Sequence, residues 1–352
     1  MGFLKDKLNA ATTNAAPPAS VDAAPPRSVE PPMPPSQKFL THGDAHAFFG
    51  AVFAGAPDEA HVIFDRQETW DDKSFCIRTM SFMTGRRNRL DEWVLQRPKD
   101  PLARICRGAH GIGWAWDALS NARAEKATVE QHEEFFRRLN IADVDLVEAA
   151  IIDPASPLAW EQMITTARGL RIPRVEVDYR MSRMLGIAPL FGGHMEYLQY
   201  VCEKSSGSHE EMTEFALSVV DAVPKGSPLC AVAAVASLER LLLEDVADPT
   251  SELKTTTLHK SLIASAKKSV LHPEFLFETP DAAMAMMSFV VAFDRYGLHH
   301  LALPLLDRIG DRHTDFPMAY YWGAGESAWE QLQRSVTAKA PAAEANSFEA
   351  AF

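Results

Sequence analysis

The stretch "NIADVDLVEAAIIDPASPLAW", residues 140–160, decides how this chain is read. Ala142, Leu146 and Ala149 recur at helical spacing, so one face carries small side chains beside a large one. Small residues on such a face let a second helix approach, and large ones fill the space between. Pro154 then stops the helix, because proline has no N–H to donate and its ring crowds the preceding turn. Ser156 and Pro157 restart it, a capping residue followed by proline at the first helical position. The segment reads as helix, stop, helix.

The stop recurs along the chain. Pro154, Pro189 and Pro224 stand 35 residues apart each time, and each closes a segment of helical pattern. A fixed period of this length marks stacked helical repeats. "KSSGSHEEMTEFALSVV", residues 204–220, crowds His209 with Glu210, Glu211 and Glu214, which raises the question of a metal or acid–base site. Ser208 and Glu211 have capping-box spacing, however, and Met212, Phe215, Ala216, Val219 and Val223 follow at the helical period. Glu210 and Glu211 lie in the first turn, at the positive end of the helix dipole. The cluster reads as a helix start. Thr128 with Gln131 makes another capping box, and Ser227–Pro228 and Thr279–Pro280 repeat the cap-then-proline signature. "HVIF", residues 61–64, is the one strand-like scrap.

The offsets of Ala142, Leu146, Ala149 and Pro154 are those of the second helix of a tetratricopeptide repeat, and Trp160 falls where the next repeat carries its first-helix tryptophan. Gly207, Ala216 and Pro224 match in the next unit, with Met212 in place of a small alanine. Gly297, Ala302 and Leu306 match again in "YGLHHLALPLLDRI", residues 296–309. Across residues 90–309 the chain resembles tetratricopeptide-like helical-repeat proteins, with partial motifs in every unit. That resemblance implies an all-α fold, a right-handed superhelix of antiparallel helix pairs of the α-solenoid kind. "LQYVCEKSSGSHEEMTEFA", "VPKGSPL" and "DRHTDFPMAYYWG" are also similar to segments of uncharacterised actinobacterial helical-repeat proteins that carry a domain of unknown function. Ser205 stands where that family has an aromatic. This second resemblance implies a bacterial helical-repeat protein and brings no activity with it.

The organisation follows. Residues 1–37 are rich in Pro, Ala and Ser, and are expected to be a disordered tail of polyproline II character. The helical-repeat domain is expected over residues 38–336, with a flexible C-terminal tail over 337–352. The 352 residues carry 35 basic and 47 acidic side chains, a formal net charge of −12. The three basic and three acidic residues of the N-terminal tail cancel, so that charge falls on the body. It opposes binding to a nucleic-acid backbone or an anionic membrane, and "GRRNR", residues 85–89, reads as a solvated helix start. No apolar run approaches the ~18 residues of a membrane span. The N-terminus lacks a secretory h-region, and Asp6 stands where myristoylation requires Ser or Thr. Cys76, Cys106, Cys202 and Cys230 are far apart in apolar helical stretches, as buried hydrophobes of a reducing cytoplasm would be.

Candidate chemistry is sparse. His42 and His46 are four apart at a helix start, the spacing of two ligands on one face, but no third ligand of suitable type is near in sequence. Glu239, four residues after Val235 and seven after Val232, falls on an apolar face and must find a partner. An internal pair with a lysine or arginine of a neighbouring helix, such as Lys204, is the preferred reading. "GAHGIG", residues 108–113, continues a helix instead of following a strand, so it is not a nucleotide loop. No catalytic, cofactor-binding or metal-binding residue is assigned. The leading expectation is a non-enzymatic, cytoplasmic interaction module or adaptor that binds a peptide or helix of a protein partner, a basic one given the charge. One alternative is a hydrolase or metal-dependent enzyme with a site near His42, His46 or Glu239. Another is an adaptor tethered through residues 1–8, where Phe3, Leu4 and Leu8 are the apolar residues. Substituting Ala149→Trp, at an offset where two helices touch, is expected to lower the melting temperature markedly, because overpacking costs about 1–3 kcal/mol or more.

Overall fold

The computed structural model describes residues 43–82, 85–119, 127–244 and 257–340. The expected N-terminal tail with residues 1–8, His42, and the chain beyond residue 340 lie outside them. Among the described residues the regular structure is sixteen α-helices and two 3-10 turns, with no strand. The chain is all-α. "HVIF" lies inside a helix, Pro57–Asp65, where Pro57 in the first turn and Asp58 and Glu59 at the positive helix end outweigh the β-branched Val62–Ile63 pair.

The described chain divides into two compact units, the first from Gly43 to Tyr200 with Lys204–Ser206, the second comprising Val201–Glu203 and the chain from Gly207 onward. In the first lie α1 (Gly43–Ala54), α2 (Pro57–Asp65), α3 (Trp70–Thr79), α4 (Arg87–Gln96), α5 (Pro101–Ala118), α6 (Val129–Ile152), α7 (Leu158–Leu170), α8 (Arg174–Leu185) and α9 (Phe191–Val201). Local chemistry sets the starts. Thr69 accepts from the Asp72 amide, Asp100 from the amides of Leu102 and Ala103, and Thr128 and Gln131 form the expected capping box.

Helix α5 lies against α6 in an antiparallel register that can be followed turn by turn. Arg104 pairs with Glu148, Arg107 grips Asp145 with two bonds of 2.8 and 2.6 Å, and Arg138 donates to the Trp114 carbonyl at 2.8 Å. Between these rungs Gly108 sits against Leu146, and Gly111 against Ala142. The glycines of "GAHGIG" therefore serve close helix packing. Gly113 meets the Ser81 carbonyl so closely that no Cβ fits.

Helix α7 is the centre of this unit, buried at every residue from Leu158 to Gly169. It packs on α3, α5, α6 and α8. Thr166 bonds Asp143 of α6, and Gly169 lies beside Leu139, so α6 and α7 are antiparallel. Arg180 of α8 donates to the Met163 carbonyl, and Arg183 stacks on Trp160, so α7 and α8 are antiparallel too. Pro154 and Pro189 fall in the links after α6 and α8, as their spacing suggested, and Ala149 and Trp160 are both buried.

The second unit contains α10 (His209–Ala222), α11 (Ala231–Glu244), α12 (Thr257–Lys268), α13 (Pro280–Arg295), α14 (His299–Ile309), α15 (Ala319–Trp322) and α16 (Glu326–Lys339). Ser208 caps α10 by accepting from the Glu211 amide, and Met212, Ala216 and Val219 are buried. The stretch "GSHEE" is the helix start it promised to be. Ser227 caps the 3-10 turn Pro228–Cys230, and Thr279 caps α13 through the Ala282 amide. Helix α13 is the core here, buried from Pro280 to Asp294 except at Met284, with α11, α14 and α16 around it. Helix α16 runs to Lys339, through the first three residues of the expected C-terminal tail. All four cysteines are buried and free. Among the described residues no helix is long and apolar enough to cross a membrane.

Two glycine substitutions should move stability in opposite directions. At Gly113→Ala the new methyl group collides with the Ser81 backbone, and the melting temperature should fall by several degrees, since such strain costs about 1–3 kcal/mol. At Gly50→Ala, in the interior of α1, a Cβ meets nothing within 4 Å, and a helical alanine should add about 0.5–1 kcal/mol. Thermal melts of both variants check this.

Candidate functional site

Two buried carboxylates are the most chemically loaded points of the described chain, one in each unit. A carboxylate taken out of water must be matched by donors or cations, so its partners show what it is there to do.

Glu161 lies on α7 and is 1% exposed. The Ser74 hydroxyl of α3 sits between its two oxygens, at 2.8 and 2.7 Å, and Gln162 Nε2 donates to Oε2 at 3.3 Å. Arg78, one turn beyond Ser74, donates from Nε to the Ser74 oxygen at 3.1 Å and stands 3.9 Å from Glu161. Helix α9 enters over this knot with two glycines. A Cβ on Gly192 would lie 2.5 Å from both Arg78 Cδ and Glu161 Oε1, and one on Gly193 would collide with Met184. Asp71 accepts from the Phe191 amide at 3.1 Å and so fixes the start of α9. His194, buried one turn on, directs Nδ1 to the Leu190 carbonyl at 2.7 Å. Burial drives the pKa of His194 below its ordinary value, against the opposing pull of the Leu190 carbonyl and Asp71. Near neutral pH the ring is therefore uncharged, and Nδ1–H donates to the Leu190 carbonyl.

A second knot lies one turn along α7. Asp143 accepts from Thr166 at 2.5 Å and from Arg180 at 2.8 and 3.3 Å, and Arg180 Nε reaches Glu176 at 3.1 Å. Burial opposes the Arg180 charge, but Asp143 and Glu176 outweigh it and hold the pKa up.

Glu239, on α11 of the second unit, is fully buried. The Tyr320 hydroxyl donates to its Oε1 at 2.8 Å. Beside it, Tyr321 donates to the Leu238 carbonyl and Tyr296 to the Ser237 carbonyl, each at 3.2 Å. The Arg295 guanidinium lies 4.6 Å from the Tyr321 ring. Burial pushes the Tyr321 hydroxyl far above its ordinary pKa, Arg295 works against that, and the Glu239 charge adds to it. The expectation that Glu239 is buried and partnered holds. Tyr320 is one of its partners.

His46 is exposed on α1, and its suggested mate His42 lies outside the described residues. Among the described residues no three His, Cys, Asp or Glu side chains gather closely enough to hold a metal ion. His299 faces Asp294 at 3.4 Å, while Ser335 of α16 donates to the same carboxylate at 2.7 Å. Sequence reasoning passed over Glu161, Ser74 and Arg78. The polar set Glu161, Gln162, Thr165, Thr166 and Arg168 lies beside the apolar stripe Trp160, Met163, Ile164 and Ala167, so α7 reads as an ordinary amphipathic helix with a solvated face, whereas both of its faces are buried. Comparison with protein-family models, with curated proteins and with solved structures finds no match.

The neutral state of His194 has a measurable consequence. In the unfolded chain a histidine takes up its proton near pH 6.5, whereas the folded chain resists protonation until lower pH. Stability should therefore be fully present above that value and decline as pH falls through it. Urea midpoints measured from pH 7.5 to 5 should fall less steeply for His194→Gln, which keeps a donor for the Leu190 carbonyl and does not titrate.

Proposed function

We propose that this chain is a non-enzymatic protein-interaction module in which α5/α6 and α7/α8 are tetratricopeptide-like pairs, and that it takes a helix or extended segment of a protein partner. The observation that carries this reading is a group of large aliphatic side chains left in water at one end of two neighbouring helices. Helices α6 and α8 run in the same direction, since each is antiparallel to α7, and the Asp143–Arg180 bond links them. Ile151 follows eight residues after Asp143, and Leu185 five after Arg180, so the two reach the same end. Ile151, Ile152 and Leu185 are 51%, 37% and 44% exposed. Such side chains gain about 25 cal/mol for each Å² of apolar surface that a partner removes from water.

The pair reading is supported by helix-on-successor packing from α5 to α8, by small residues at the α5–α6 contact, and by the proline period. The buried carboxylates fit the same picture, because Glu161 and Asp143 spend their oxygens on internal donors and Glu239 accepts from Tyr320. With a net charge of −12, the partner segment should carry lysine or arginine, and raising salt should weaken its binding. The test is affinity capture from extract of the source organism, with the full chain and its Ile151→Glu/Leu185→Glu variant side by side. A protein held by the parent, released by salt and missed by a variant with unchanged circular dichroism is the expected result. An identical set retained by both would overturn the assignment of this surface.

A further inference from the structure

Away from these carboxylates, the indole of Trp114, close to the end of α5, collects positive charge. The guanidinium groups of Arg87 and Arg138 each lie 4.5 Å from its ring centroid, and that of Arg137 lies 5.6 Å away. They come from two further elements, the first turn of α4 and the third turn of α6. One carboxylate answers them. Glu134 accepts from Arg137 at 2.6 and 2.7 Å and from Arg138 at 2.6 Å, and these donors hold its pKa down to about 2. It is fully charged near neutral pH, and both of its oxygens are taken.

Arg87 has no such answer. It makes no ion pair with a carboxylate of the described residues, and its Nη1 is buried over Gly111 without an acceptor there. Burial lowers its pKa; Asp91 and Asp145 oppose that, while Arg107 and Arg137 add to it. Three guanidinium groups therefore gather on one indole, with Glu134 the one carboxylate bonded to them, in a chain whose net charge is −12. Stacking on an indole face steadies a guanidinium but leaves its charge and its hydrogen-bond donors unmatched.

We propose that Arg87, Arg137 and Arg138 around Trp114 form a binding site for the dianion of a small phosphate monoester. The planar fork of a guanidinium matches a pair of phosphate oxygens, and a dianion is drawn to three guanidinium groups more strongly than a single carboxylate is. Arg137 is half-exposed, so the site has an open side through which the anion enters. This inference is independent of the apolar surface on α6 and α8.

The probes are inorganic phosphate and O-phosphoserine, titrated calorimetrically into the full chain at low ionic strength, with acetate at matched ionic strength for comparison. Saturable binding at one site per chain is expected for both phosphates. It should be about tenfold weaker in Arg137→Gln, whose side chain lies at the surface, and weaker still in Arg87→Gln/Arg137→Gln. Arg89→Gln, which only unties the exposed Glu92 pair on α4, should bind like the parent. If the double variant fails to fold, Arg137→Gln alone decides. Heats that do not saturate, an unchanged affinity in Arg137→Gln, or equal binding of acetate would each overturn the proposal.

Discussion

A helix enclosed on every side has no water to turn to, so each polar atom it carries must be answered by another part of the chain. Helix α7 is such a helix, and it carries Glu161, Gln162, Thr165, Thr166 and Arg168. Its neighbours are shaped by that demand. Helix α3 supplies Ser74 and Arg78, α6 supplies Asp143, α8 supplies Arg180, and α9 gives up side chains at Gly192 and Gly193 so that its backbone passes over Glu161. A buried carboxylate stripped of its cation costs about 3–5 kcal/mol, so these partners are tied to one another as well as to α7. Arg168 completes the set by reaching Glu196 of α9 at 3.2 Å.

The second unit solves the same problem with the opposite composition. Helix α13 presents an almost wholly apolar surface, with Phe289, Phe293, Met286 and Met287 fully buried. Its acids are confined to its ends, Asp281 in the first turn and Asp294 in the last. Burial then needs shape more than partners, and hydrogen bonding falls to the helices around it, where Tyr296, Tyr320 and Tyr321 address α11. Such a core tolerates exchange of one hydrophobe for another of similar volume, whereas the polar knots of the first unit specify both residue and geometry.

What could be read from the chain beforehand divides by distance. Caps are decided within four residues, and Thr128, Ser208, Ser227 and Thr279 all do what their neighbours imply. Ser156 shows the limit of such reading. Pro157 itself stands at the boundary of α7, and the Ser156 oxygen reaches only the Leu158 amide, at 3.4 Å. Burial of Glu239 was legible, since helical spacing alone put it among valines. Its tyrosine was not, because Tyr320 is 81 residues away. Glu161 drew no notice beside Trp160, and its serine partner lies 87 residues earlier. Short motifs announce where helices begin. Contacts between helices distant in sequence depend on packing that no local pattern encodes.

The rungs between α5 and α6 also bear on how the chain finds its fold. If α6 slid by one turn, Arg107 would come opposite Glu148, and Asp145 would be driven toward the notch at Gly111, where no side chain exists to receive it. A hydrophobic seam alone often tolerates such a shift, since one leucine can replace another. Here charge and the absence of side chains alternate along the same line, so the shifted pair strands Asp145 and loses its close approach together. Two helices so near in sequence meet at small entropic cost. The pair thus offers the folding chain an early contact with a single stable alignment.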